Sequence, residues 1–241
     1  MNGRKSVLGI AVLCALVLGA FAAASASAEQ RAYKCTEGTT KQFSDEHCLV
    51  PSGSGAFEHK LLEGETAITG TNAKTAEGTS VASVSKLAGS LSGVVTELQC
   101  TGLSGTGQLT NAAASVTGTG VITYSGCSVT KPAGKGCVVK NGEVVTATLK
   151  GTTVGQAAGK LKFTPNTGET FASITIEKCS IASLNNTFPV QGSLVANTSG
   201  ATTTTTHAGI TEQGTLKFGG VKAGLEGALT IEAGGDGVAL T

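Results

Sequence analysis

After Pro51-Ser-Gly-Ser-Gly55 the chain becomes a succession of short runs rich in Val, Ile, Thr and Leu, each broken by Gly, Asn or Ser. Several alternate strictly, as where Leu161 and Phe163 stand against Lys160 and Lys162. A period of two sets one side of a strand on a core and the other in water. No window beyond the N-terminal leader carries a helical stripe, and the glycines around Leu225 to Leu229 argue against a helix there. Strands are therefore predicted at 56–62, 79–87, 94–101, 115–124, 143–150, 159–164, 170–178, 189–196, 202–208, 214–218 and 223–232. Asn141-Gly142 between two Val-rich runs predicts a two-residue hairpin. Gly159-Lys-Leu-Lys-Phe163 with Thr175-Ile-Glu177 returns as Gly214-Thr-Leu-Lys-Phe218 with Thr230-Ile-Glu232, at an offset of 55. It reads as a duplicated hairpin within one sheet system, since two copies are too few for a solenoid or propeller. The expectation is an all-β, mainly antiparallel fold, a β-sandwich or irregular barrel of about ten or more strands.

Composition agrees. Charged residues are 14%, aromatics 4% and hydrophobic residues 40%, with 35 Gly and no Trp. These values exclude a coiled coil, a helical bundle and a charged disordered chain. Seventeen Lys and Arg face sixteen Asp and Glu, and without Arg4 and Lys5 the acids exceed the bases by one. A chain so close to neutral has no electrostatic footprint for nucleic acid or anionic lipid.

The N-terminus carries an address. Arg4 and Lys5 precede an apolar and small-residue run from Val7 to Ala24, and Ala26-Ser27-Ala28 before Glu29 fits the small-x-small cleavage rule. Residues 1–28 are read as a cleaved signal peptide, 29–52 as a small disulfide-closed segment and 53–241 as the β-rich domain. Cys14 lies within the leader behind Leu13, where a lipoprotein site needs a small residue. No later apolar run is long enough to span a membrane, so no transmembrane segment is expected after cleavage. The protein is expected to be secreted, extracellular or held in the cell envelope.

Export suits the six cysteines that remain: Cys35, Cys48, Cys100, Cys127, Cys137 and Cys179. An even set in an exported chain reads as disulfides, with fifteen connectivities open. Proximity in sequence favours Cys35–Cys48 and Cys127–Cys137, which leaves Cys100–Cys179. A metal or redox site would want C-x-x-C, which is absent.

Few groups suit catalysis. The histidines are His47, His59 and His207, and the aspartates only Asp45 and Asp236. Asp45-Glu46-His47 is the densest cluster, but in a short loop it reads as solvated. His59 is expected on the polar face of a strand, and His207 closes a Thr run. No G-x-S-x-G or H-E-x-x-H exists. Gly155 to Lys160 is one residue short of a phosphate loop, and Leu161 stands where Ser or Thr is needed. Asp236, after Gly234-Gly235, reads as a turn residue rather than a calcium ligand. Thr202 to Thr206 would set alternate hydroxyls on one face of a strand, an arrangement read here as ordinary Thr-rich β structure. Most aromatics fall at alternating positions and read as core. No catalytic, cofactor-binding or metal site is assigned, and no cofactor is expected.

Cys35, Phe43-Ser-Asp45, Cys48, Gly55-Ala-Phe57, the Cys127/Cys137 pair and Leu216-Lys-Phe218-Gly-Gly together resemble a group of exported, β-rich, disulfide-containing actinobacterial proteins. That group has no assigned activity, so the resemblance implies export and an all-β fold but no catalytic residue. The functional expectation is a non-enzymatic secreted or envelope-associated binding or structural protein of unknown ligand, with a cell-envelope component or glycan as the candidate partner. The alternative is a secreted hydrolase whose site is assembled from distant residues, and it demands a histidine beside a carboxylate or hydroxyl in a concave pocket.

Overall fold

The computed structural model describes residues 29–74, 79, 84–113, 115–154, 159–199, 202–205 and 214–240; the leader and His207 lie outside them. The first strands are β1 (Ala32–Glu37), β2 (Phe57–Leu61), β3 (Glu65–Asn72), β4 (Ser85–Leu91) and β5 (Val94–Cys100). There follow β6 (Gly102–Asn111), β7 (Val116–Ser125), β8 (Ser128–Lys131), β9 (Val138–Val139) and β10 (Glu143–Val145). Next are β11 (Leu149–Thr153), β12 (Lys160–Pro165), β13 (Thr170–Glu177), β14 (Asn186–Gln191) and β15 (Leu194–Ser199). The last are β16 (Thr202–Thr205), β17 (Lys217–Phe218), β18 (Val221–Lys222), β19 (Gly224–Ala233) and β20 (Asp236–Leu240). Among the described residues the helical pieces are two 3-10 turns, Lys140–Gly142 and Ala182–Leu184. The all-β, antiparallel class expected from the alternation is the class the chain adopts.

The strands form one set of fifteen and one of five. In the larger set the pairings run β16-β15-β12-β11-β7-β6-β3-β19, and β16 also pairs with β19, so these eight strands make a circuit of pairings. The long β19 reaches beyond it, pairing with β4 near its start and with β20 at its end. From β20 the sheet continues to β1 and β2. The five-stranded sheet has the order β18-β17-β14-β13-β9.

Two apolar clusters hold these layers. One gathers Leu91, Leu98, Ile176, Leu184, Phe188 and Phe218, the last two ring-edge to ring-face at 6.3 Å. The other gathers Ala32, Leu62, Val116, Leu161, Ile231 and Val238, so β1 shares a core with the C-terminal strands. Each such Leu, Ile or Phe contributes about 1.5–3 kcal/mol by leaving water.

Three sequence expectations give way here. Cys35 bonds Cys48 as expected, but the other bridges are Cys100–Cys127 and Cys137–Cys179, not Cys127–Cys137 and Cys100–Cys179. Strand register explains the exchange. Cys100 ends β5, and Cys127 precedes β8, which pairs with β5 through Gln99 and Ser128. Cys137 precedes β9, and Cys179 follows β13, its partner through Val138 and Glu177. Proximity along the chain misleads because residues 128–136 lead from the larger sheet to the smaller one. Asn141-Gly142 does turn, with Asn141 at φ 59°, yet β9 and β10 do not pair with each other. They pair with β13 and β7, so the turn carries the chain between sheets instead of closing a hairpin. The repeated segments likewise form no hairpins: β12 and β19 lie in the larger set, β13 and β17 in the smaller.

Candidate functional site

Asp45-Glu46-His47 is not a solvated loop. Asp45 is 7% exposed and His47 only 1%. The Cys35–Cys48 bridge ties the loop to β1, and the Asp45 carboxylate then folds the loop around itself. It accepts hydrogen bonds from the backbone N–H groups of His47 (3.0 Å), Leu49 (3.0 Å) and Val50 (2.7 Å). Three donors on one carboxylate offset the cost of burying it. The same fold turns the His47 ring inward, where Nε2 lies 3.2 Å from Glu232 Oε1 on β19. The Lys74 ammonium pairs with that same Glu232 oxygen, and Lys74 N–H donates to Thr230 Oγ1 at 2.9 Å. On the other side Glu46 Oε1 stands 3.8 Å from His47 Nδ1, beyond hydrogen-bond reach.

A histidine against a carboxylate is the raw material of acid–base chemistry. Access decides otherwise here. Glu232 is 8% exposed and His47 1%, so both groups are shut away from solvent. In this arrangement the trio is a polar tie between the N-terminal loop and β19.

The second cluster faces outward. His59 does not stand on a plain polar face: its ring lies between Tyr33 (centroids 5.4 Å, planes 23° apart) and Phe43 (4.5 Å, 35°). Register makes the first contact, because β1 and β2 pair Tyr33 with Leu61 and Cys35 with His59, leaving Tyr33 and His59 diagonal on one face. The disulfide loop supplies Phe43, which bridges to both Pro51 and Phe57. A second latch is Glu58, whose Oε2 accepts from Thr40 N–H at 2.8 Å and Thr40 Oγ1 at 2.6 Å. Those bonds hold the Glu58 carboxyl below its usual range. All three rings are half-buried, and Leu61 and Val50 nearby are 44% and 43% exposed. Of the other phenylalanines, Phe171, Phe188 and Phe218 are core at 3%, 8% and 0% exposed, while Phe57 and Phe163 are half-buried.

Burial lowers the His59 pKa below the ordinary 6.5. The folded state therefore favours neutral imidazole, while the unfolded chain takes up a proton near 6.5. Stability from this group is intact above that pH and falls as pH drops through the folded value. Thermal melts from pH 7.5 to 5 should show a decline that is smaller in His59→Phe; equal slopes in both proteins would contradict this assignment.

Sequence reasoning missed Glu232 and Lys74 because their link to His47 crosses 185 and 27 residues of unrelated composition. Asp236 forms an ion pair with Lys34 at 2.5 Å, at the first residue of β20. No family model matches this chain, and no match is found among curated proteins or solved structures.

Proposed function

We propose that this chain is a non-enzymatic, exported protein that binds a glycan component of the cell envelope through the Tyr33–His59–Phe43 stack. The stack carries the reading: three rings, half-exposed, are held by a disulfide loop and a two-strand register before any ligand arrives. The Phe43 ring and the apolar bodies of Tyr33 and His59 suit stacking, the Tyr33 hydroxyl can add a hydrogen bond, and their fixed geometry reduces the ordering cost of binding. Three disulfides fit an oxidising, extracellular-type environment. No helix among the described residues is long and apolar enough to cross a membrane.

The hydrolase reading rests on the contact between His47 and Glu232, and it requires the disulfide loop to lift before substrate could reach either group. Retention of the mature chain on envelope fractions and glycan arrays separates the two. Phe43→Ala and Tyr33→Ala should each weaken retention by about thirtyfold, the scale of an aromatic hot spot of about 2 kcal/mol. A remote exposed substitution, Val221→Ser, should leave it unchanged. Retention indifferent to both aromatic substitutions, or release of cleaved glycan that stops when His47 is replaced, would overturn the proposal.

A further inference from the structure

The interior of the strand circuit holds an apolar cavity of about 70 Å³, walled by Ile68, Leu149, Leu161 and Ile231 among others. Its emptiness has a local cause. Gly70 and Gly151 face it, and a Cβ at either would lie 3.5 Å from Leu229 Cδ1 or 3.7 Å from Phe163 Cε1, at ordinary contact. These two glycines therefore leave space that a larger side chain would occupy. Gly107 differs, since its Cβ would fall 2.4 Å from the Thr119 carbonyl oxygen, so close strand approach requires glycine there. Inward-facing Ile68, Phe163 and Leu229 remain only half-buried, as expected of side chains lining an unfilled space.

Two smaller cavities adjoin the first. One of about 20 Å³ shares Ile122, Phe163 and Leu229 with it. The next, of about 40 Å³, shares Ser85, Tyr124, Phe171 and Leu225 with the second. The two smaller cavities also meet polar side chains: Thr146 lines the 40 Å³ cavity, Glu226 the 20 Å³ one, and Tyr124 both. Ser85, 3% exposed, lines both smaller cavities, and its Oγ has no hydrogen-bond partner among the described residues. A buried hydroxyl without a partner is costly and rare.

We infer that these cavities bind a narrow, single-chain lipid, with its alkyl tail in the first cavity and a neutral oxygen hydrogen-bonded to Ser85. A short unbranched alkyl chain, of about eight carbons, is the simplest probe of this run of adjoining cavities. A charged carboxylate would lose its hydration against apolar walls and meet the like charge of Glu226, which lines the middle cavity. The site is internal and independent of the aromatic stack, so it goes beyond the surface-binding proposal and survives or fails separately from it.

The test titrates octan-1-ol, octane and octanoate at pH 8 into the mature chain, followed by methyl and amide NMR shifts. Octan-1-ol should bind about fivefold more tightly than octane, and octanoate more weakly than either, with shifts at Ile68, Leu149 and Ile231. Ser85→Ala should bring the alcohol down to the alkane without lowering the melting temperature, because it removes an unpartnered hydroxyl. Gly70→Val and Gly151→Val should each weaken all ligands by more than tenfold. Should either glycine variant fail to fold, the alcohol-to-alkane ratio in Ser85→Ala still decides. No binding to the wild-type chain, shifts confined to the surface, or a ratio unchanged by Ser85→Ala would overturn the inference.

Discussion

Reduction of the three disulfides is expected to unfold the chain at 25 °C, with the largest single loss on breaking Cys137–Cys179. The bridges close separations of 13, 27 and 42 residues. In the chain-entropy description these correspond to about 3, 3.5 and 4 kcal/mol. Domains of this kind are stable by only about 5–15 kcal/mol in total, so losing all three removes most of that margin. Urea unfolding with and without reductant measures the whole effect, and Cys137→Ser/Cys179→Ser the largest part. Non-reducing peptide mapping should recover Cys100 joined to Cys127 and Cys137 joined to Cys179. A peptide joining Cys127 to Cys137 would contradict the register argument, as would a midpoint unmoved by reductant.

Glu232→Ala should cost about as much as a disulfide. It strips the carboxylate from both His47, 1% exposed, and the Lys74 ammonium that shares the same oxygen. Removing one partner of a buried ionic contact typically costs about 3–5 kcal/mol, because the remaining groups stay desolvated and unpaired. Glu232→Gln retains a hydrogen-bond acceptor and should cost less. The urea midpoints of the two variants check this order. A loss under 1 kcal/mol in Glu232→Ala would mean that the loop over His47 opens at little cost, and the hydrolase reading would gain ground.

What could be read in advance followed the visibility of side-chain alternation. Leu161 and Phe163 against Lys160 and Lys162 marked β12, and runs rich in Val, Ile, Leu and Thr marked β5, β7 and β13. By contrast β3 and β6 escaped, because Gly70, Gly105 and Gly107 stand at inward positions where an apolar residue would have revealed the period. Of these, Gly70 also opens the interior cavity, so a Gly at alternate strand positions was itself the overlooked signal. β1 and β20 were hidden by Lys34, Thr36, Asp236 and Gly237; β20 enters the sheet by pairing with β19, and β1 by pairing with β20. The candidate sites were less legible for a different reason. That Asp45 would gather three backbone donors is a property of a loop already closed by Cys35–Cys48, and Tyr33 meets His59 only after β1 and β2 pair. Residue identity showed which groups were available; register decided which of them met.

The histidine ring resonances report directly on whether the aromatic stack meets a glycan. His59 and His47 differ in environment, one stacked between two rings at the surface and the other sealed against Glu232. Soluble glycans released from the cell envelope, titrated into the mature chain, should shift the His59 and Tyr33 ring signals and leave those of His47 in place. Shifts at His47 with the stack unmoved, or no shift at either, would contradict binding through Tyr33, His59 and Phe43.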